Sequence, residues 1–360
     1  MAKSVYIHIP FCKSKCKYCS FISYADTAKI SEYILALEKE IKNYYQKENL
    51  KTLYFGGGTP SLISSQNLNK IIKLFNLAPD CEITLEINPD DASKDYLQSV
   101  FDIGVNRLSI GSQSFNDEIL KLIARRHSAQ DIINTVNLAQ KIGFKNISVD
   151  LIYGLPNQNF EKIKFDLNII KNLDIQHVST YGLKIEEGSY FYKHIPQNLP
   201  NDDEQADFYE FINDFLENNG FKRYEISNFA KNGFESKHNL NYWNNENYYG
   251  FGVASHGYEN DTRYNHTILV DEYINNPLQR LNQKVLTKNE QLEEEIFLGF
   301  RKTAGIDVQK IWEKFSIDFE EKYSKILKKY QGEYIEKTDL GYRLTLKGSM
   351  LSNIILAEFI

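Results

Sequence analysis

The sequence has few cysteines and no long apolar run. Only 4 of its 360 residues are cysteine, and three stand close together near the N-terminus. That number cannot build a disulfide framework, so we expect a reducing, cytoplasmic compartment. The sequence contains no run of about 20 apolar residues, so we expect no membrane-spanning helix. The first residues do not fit a signal peptide. A net charge of −6 argues against a nucleic-acid partner.

Strand and helix patterns alternate over the first half of the chain. Six apolar strand patterns are each followed by a helical pattern; the predicted strands cover residues 4–9, 52–55, 82–87, 107–110, 146–151 and 177–183. This alternation predicts an α/β fold with parallel strands, a full or partial (β/α) barrel of the TIM type. In such barrels the functional residues follow the carboxyl ends of the strands.

Three cysteines follow the first predicted strand at CxxxCxxC spacing: Cys12, Cys16 and Cys19. Thiolates are suitable ligands for an iron–sulfur cluster, and three of them can hold three irons of a [4Fe–4S] cubane. The fourth iron is then open to another ligand. The alternative is a structural zinc site, which needs a fourth protein ligand such as His8. The residues favour the cluster.

Other polar or glycine-rich motifs share this position at strand ends. Gly56–Pro60 follows the second strand, Glu86 ends the third, Gln113 follows the fourth and Asp150 ends the fifth. The glycines would let backbone amides approach a ligand, although a tight turn explains them equally. Glu86 and Asp150 could equally be solvated residues at the ends of their strands. The shared position indicates one site better than any single motif does.

The remainder of the chain is less regular. His238–Trp243 is polar and aromatic, and an imidazole there could bind haem iron, whereas the alternative is a loop packed by its aromatics. His256 allows the same two interpretations. Helical patterns and a hairpin from residue 287 predict a winged-helix-like module. We therefore predict a core barrel at 1–230, a connecting segment at 231–286 and a C-terminal module at 287–360.

Together these motifs resemble the radical S-adenosylmethionine (SAM) superfamily, in which an aromatic, here Tyr18, precedes the third cysteine. The resemblance implies that the open iron chelates the amino and carboxylate groups of SAM. An electron from the cluster, supplied by an electron donor, would cleave SAM to a 5′-deoxyadenosyl radical. The SAM contacts that the resemblance implies are Tyr6, Tyr18, Gly57, Gly58, Thr59, Glu86, Gln113, Arg125 and Asp150. From the residues alone, Arg125 could equally be a surface arginine and Tyr6 a core aromatic.

Within the superfamily the chain is most similar to the anaerobic coproporphyrinogen III dehydrogenase and HemW group. The dehydrogenases carry a further cysteine where Phe21 stands here, and a long extension where eleven residues precede Cys12. His238–Trp243 matches the HNxxYW motif of HemW-type haem chaperones.

This resemblance implies haem as cargo, bound with the help of His238 and Trp243 and delivered to respiratory haem proteins. It also leaves open a homodimer and peripheral membrane contact. The alternative is the dehydrogenase activity itself, the oxidative decarboxylation of coproporphyrinogen III to protoporphyrinogen IX.

Overall fold

A computed structural model describes residues 2–360 of the chain, which is built around a nine-stranded sheet. Its strands are β1 (Ser4–Ile9), β2 (Asn49–Gly57), β3 (Asn76–Ile87), β4 (Arg107–Gln113), β5 (Asn146–Tyr153), β6 (His177–Gly182), β7 (Lys222–Arg223), β8 (Asn228–Ala230) and β9 (Tyr249–Phe251). The helices of this region are α1 (Ile30–Tyr44), α2 (Ser65–Ile72), α3 (Lys94–Asp102), α4 (Asp117–Leu122), α5 (Ala129–Ile142), α6 (Phe160–Asn172), α7 (Tyr190–Lys193), α8 (Asp202–Asn218) and α9 (Lys237–Trp243).

The sheet order is β7-β8-β6-β5-β4-β3-β2-β1-β9. Strands β1 to β6 are neighbours in chain order and pair in parallel. Strand β9 pairs in parallel with β1, whereas β8 is antiparallel to β6. Among residues 2–360 the two edge strands do not pair with each other, so the sheet is open. The predicted α/β fold with a partial barrel of six parallel strands is therefore confirmed.

Each parallel strand has one apolar and one polar face. In β4, Leu108 and Ile110 are in the hydrophobic core that the helices cover, whereas Arg107 and Ser109 line the opposite, concave face. Side chains alternate across a strand. The same alternation in β2, β3, β5 and β6 gives the half-barrel a polar lumen, formed by its concave face.

The C-terminal module has its own hydrophobic core, drawn from residues between Leu292 and Phe359. Its elements are α11 (Lys288–Gly299), β13 (Ile306–Asp307), α12 (Val308–Phe315), α13 (Phe319–Lys322), α14 (Ser324–Tyr330), β14 (Ile335–Lys337), β15 (Gly341–Leu344), α15 (Leu346–Met350) and α16 (Ser352–Leu356). The predicted hairpin is present as β14 and β15, and β13 adds a third strand that the sequence pattern did not indicate.

The connecting segment is more ordered than its sequence indicated. The HNxxYW stretch forms helix α9 instead of a loop, and the aromatic run after it supplies β9. A small antiparallel sheet and one helix follow: β10 (His256–Glu259), β11 (Thr262–Asn265), α10 (Val270–Asn275) and β12 (Leu281–Val285). No helix within residues 2–360 is long and apolar enough to cross a bilayer.

A buried contact between Glu40 and His266 fixes the connecting segment on α1. The Glu40 carboxylate lies 2.8 Å from His266 Nε2, and neither side chain is exposed. Glu40 also accepts hydrogen bonds from the backbone N–H of Gly252 (3.0 Å) and from the Tyr273 hydroxyl. One carboxylate thus holds three points of the segment against the helix.

We predict that Glu40→Ala destabilises the protein by about 3–5 kcal/mol, because it leaves His266 and two buried donors without their acceptor. Urea unfolding followed by circular dichroism measures this loss. The control is Lys314→Ala, which breaks the more exposed ion pair with Glu295 and should cost less than about 1 kcal/mol. Equal losses in the two variants would contradict the role given to Glu40.

Candidate functional site

One cavity of about 440 Å³ opens at the carboxyl ends of the parallel strands. It contains most of the residues that the sequence singled out. The lining includes Cys12, Cys16, Tyr18, Cys19, Gly57, Gly58, Thr59, Glu86, Gln113, Arg125 and Asp150. Among the predicted cluster and SAM residues only Tyr6 is outside this lining, and its ring packs beside His8 and Tyr54. Phe21 lies at the cavity with 68% of its surface exposed.

The cysteine loop is held at several points along its length. The backbone N–H of Cys12 donates to the Tyr24 carbonyl (2.9 Å), and that of Lys17 donates to the Ile123 carbonyl (3.1 Å). The His8 ring lies 3.1 Å from the Ile22 carbonyl through Nε2 and 3.1 Å from the Tyr6 hydroxyl through Nδ1. His8 therefore positions the chain beyond the third cysteine.

A chain of hydrogen bonds joins two of the thiols. Arg125 donates to Cys16 Sγ (3.5 Å) and, through its other terminal nitrogen, to Asn88 Oδ1 (2.7 Å). Asn88 Nδ2 donates to Thr59 Oγ1 (3.2 Å), which donates to Cys12 Sγ (3.4 Å). Donors to sulfur stabilise thiolate charge. Side chains that follow β2, β3 and α4 thus prepare both sulfur atoms to act as ligands.

The three free thiols suit an iron–sulfur cluster by their chemistry. No group of three or more His, Cys, Asp and Glu side chains in residues 2–360 is arranged to hold a metal ion. Burial raises the pKa of Cys19 to about 11, and bonding to iron would hold this sulfur as a thiolate. The cavity and the donors to Cys12 and Cys16 fit a group larger than one ion.

The glycine turn after β2 cannot carry side chains. Gly57 has φ +114°, and a Cβ there would lie 2.7 Å from the His8 ring. A Cβ on Gly58 would lie 2.7 Å from the Phe11 carbonyl oxygen. The turn therefore packs directly on the start of the cysteine loop, and this close approach explains the glycines.

Glu86 is the best-placed acid of the cavity. Its carboxylate accepts hydrogen bonds from the Tyr54 hydroxyl (2.8 Å) and from the Gly57 N–H (3.1 Å). Burial, with a contribution from the charge of Asp150, raises the pKa of Glu86 to about 7. An acid in this state can accept hydrogen bonds from an amino group above neutral pH.

The neighbouring strands β4 and β5 bring a further acid and an amide to the cavity. Desolvation raises the pKa of the half-buried Asp150, while a hydrogen bond from Ser179 and the charge of Arg107 oppose the rise. Gln113 ends β4 in a left-handed conformation with φ +69°. These groups suit the hydroxyl groups of a ligand such as a ribose.

Sequence reasoning missed several residues of this cavity: Tyr54, Asn88, Arg107, Ser109, Ser179, Tyr181 and Asn239. A signal was present, because Tyr54, Arg107 and Ser179 occupy alternate positions of strands that otherwise look buried and apolar. Polar residues at every second position of a parallel strand indicate a polar lumen. Asn239 gave no such signal, since it lies outside the parallel strands.

The predicted haem residues are not part of the lining of this cavity. His238 is 1% exposed, its Nδ1 pairs with Thr52 Oγ1 (2.8 Å), and its Nε2 pairs with the Tyr242 hydroxyl (2.9 Å). Burial lowers the pKa of His238 to about 3, so the ring is neutral. Trp243 lies under the Arg301 guanidinium at 4.9 Å and borders a second, smaller pocket. In this conformation His238 is not open to a ligand.

Family profiles match two parts of the chain. The Radical SAM superfamily profile matches residues 6–169, and the HemN C-terminal domain profile matches residues 286–351. The structure is similar to coproporphyrinogen III oxidase (HemN) of Escherichia coli, with a TM-score of 0.86, 23% identity and coverage of 99% of this chain and 89% of that one. At that identity the likeness shows the fold alone.

Curated relatives match at higher identity. The heme chaperone HemW of Bacillus subtilis is 38% identical over 99% of this chain and 99% of its own length. The heme chaperone HemW of Lactococcus lactis is 39% identical over 99% of this chain and 97% of its own length. The chain therefore belongs to the radical SAM superfamily and, within it, to the HemW family.

Proposed function

We propose that this protein is a cytoplasmic haem chaperone that holds a [4Fe–4S] cluster and SAM and delivers haem to respiratory haem proteins. The observation that carries the proposal is the gathering of three free thiols, the glycine turn, Glu86 and Arg125 around one cavity. The family names of the full-length relatives support the haem part. Phe21, where the dehydrogenases have a cysteine, argues against their reaction.

In this proposal Cys12, Cys16 and Cys19 bind three irons of the cluster. A bound cluster supplies a one-electron donor and one open iron. Arg125 and Thr59 donate hydrogen bonds to two of the sulfur atoms and so stabilise the thiolate state. The fixed ends of the loop keep the ligands in place before the cluster enters.

The same proposal assigns the two ends of SAM to neighbouring parts of the cavity lining. The Gly57–Thr59 turn and Glu86 receive the amino acid end, because they line the cavity beside Cys12 and supply a carboxylate. The N–H groups of the turn are already paired within the protein. Arg125 faces the same space and carries the charge that a ligand carboxylate needs. Asp150 and Gln113 receive the hydroxyl-bearing end, and Tyr18 closes the side of the cysteine loop.

We predict that Cys12→Ser, Cys16→Ser and Cys19→Ser each lose cluster iron and sulfide and the absorbance at ~400 nm. Cys81→Ser is the matched control. Its thiol is buried in β3 and lies 3.9 Å from the Glu82 carbonyl oxygen, so the cluster should be kept. Iron and sulfide analysis after anaerobic reconstitution measures both outcomes. Zinc in the wild-type protein, with no sulfide, would instead support the structural zinc site.

We predict that SAM binds about tenfold more weakly at pH 6 than at pH 8, because Glu86, with its pKa of about 7, loses its charge over that range. Glu86→Gln should bind SAM more weakly at both pH values and show a flatter profile. Calorimetric titration of the reconstituted protein measures the affinities. Glu187→Gln, which changes an exposed carboxylate, should keep the wild-type profile. A profile unchanged in Glu86→Gln would contradict the assignment.

We predict that His238→Ala binds haem at least tenfold more weakly than the wild type and shows a shifted Soret band, because it loses an imidazole ligand. Haem titration measures both quantities. His256→Ala tests the exposed histidine of the same segment and should retain the wild-type spectrum. An altered spectrum only in His256→Ala would assign the haem ligand to that residue.

Repeated turnover of coproporphyrinogen III to protoporphyrinogen IX by the wild type, with SAM and a reductant, would overturn the chaperone assignment.

A further inference from the structure

Tyr54 connects the SAM side of the cavity to helix α9. Its hydroxyl donates to Glu86 Oε1 at 2.8 Å. The centre of its ring lies 4.9 Å from that of His238, with the planes 26° apart, which is a stacked arrangement. The two groups that the proposed function treats separately, the SAM-binding acid and the HNxxYW histidine, are thus neighbours of the same tyrosine.

The ring of Tyr54 is restrained by two partners. Tyr6 stacks with it at 6.0 Å and 30°, and His238 at 4.9 Å and 26°. Offset and stacked aromatic pairs contribute beyond their buried area. A tyrosine hydroxyl moves only when its ring moves, so these partners fix the direction from which Glu86 receives its hydrogen bond.

His238 is itself fixed from three sides. Thr52 and Tyr242 take its two ring nitrogens, at 2.8 Å and 2.9 Å. Its backbone N–H donates to the buried Glu82 carboxylate at 3.1 Å. The next residue of α9, Asn239, reaches the cavity wall. Helix α9 therefore belongs to the wall of the half-barrel, and its histidine cannot shift without releasing the ring of Tyr54.

We infer that Tyr54 and His238 are positioning residues for SAM, with His238 acting through the ring of Tyr54 to hold Glu86 in place for the SAM amino group. The inference rests on the SAM assignment of the proposed function and goes beyond it, because it gives the HNxxYW helix a role in SAM binding. It requires no haem bond to His238. Any ligand that draws His238 away from Tyr54 then lowers the affinity for SAM. Bound SAM lowers the affinity for that ligand by the same factor.

A double-mutant cycle on SAM affinity tests the inference. The dissociation constant is measured by calorimetry, at one pH, for reconstituted wild type, Tyr54→Phe, His238→Ala and the double variant. Tyr54→Phe keeps the ring and removes the hydrogen bond to a charged group, so about tenfold weaker binding is expected. His238→Ala should weaken binding several-fold. The double variant should bind about as weakly as Tyr54→Phe alone, because both changes act on one hydrogen bond.

His238→Phe separates this role from haem ligation and from a simple loss of folding. This variant keeps an aromatic ring against Tyr54 and removes both ring nitrogens. Its SAM affinity should therefore be closer to that of the wild type than to that of His238→Ala. Tyr192→Phe, at an exposed tyrosine, is the control for a removed hydroxyl and should bind SAM like the wild type. Thermal unfolding of each variant confirms that the compared proteins are folded.

The outcomes distinguish this inference from the proposed function. Non-additive losses with recovery in His238→Phe support it. Losses that multiply in the double variant, or unchanged SAM affinity in His238→Ala, overturn it while SAM binding by the wild type stands. Failure of the reconstituted wild type to bind SAM overturns the SAM assignment and this inference together.

Discussion

The polar lumen of the half-barrel is the constraint on which the structure depends. Arg107 is only 2% exposed, and Glu82, Asp150 and Tyr54 stand near it inside the sheet. A buried charge or polar group is costly unless it is paired. The Arg107 charge opposes the rise in pKa that burial causes in Glu86 and Asp150, so it favours the ionised forms of both acids. The acids and the arginine of the lumen thus balance one another's charge.

The cysteine loop extends the same principle to the rim. Two thiols receive hydrogen bonds from one connected set of side chains, Arg125, Asn88 and Thr59, which stand on three different loops. Such a set loses its geometry if any one loop moves. The strand order of the sheet therefore matters to the chemistry, since it brings these three loops to the first strand's loop.

Local patterns made much of this fold predictable. Helix α6 (Phe160–Asn172) follows from local sequence signals, because the Asn159 side chain caps its first turn and its apolar residues repeat with helical period. The motifs at strand ends placed most of the cavity lining, since parallel strands end on one side. Strand β9 could not be foreseen, because its three residues become a strand by pairing with β1, which is far away in sequence. The position of Tyr54 in the cavity was not predicted, because its neighbours in the sequence indicate an apolar strand.

Helix α9 shows how tertiary contacts override sequence preference. Its asparagines and aromatics favour helix weakly, but Ser236 caps it and the buried Glu82 carboxylate accepts the backbone N–H groups of Lys237 and His238. A haem iron can reach His238 only after the ring gives up the bonds to Thr52 and Tyr242. If that opening costs about 3 kcal/mol, the apparent affinity falls about 10²-fold. Haem binding at this histidine therefore depends on how readily α9 leaves the half-barrel wall, and so on what else holds that wall together.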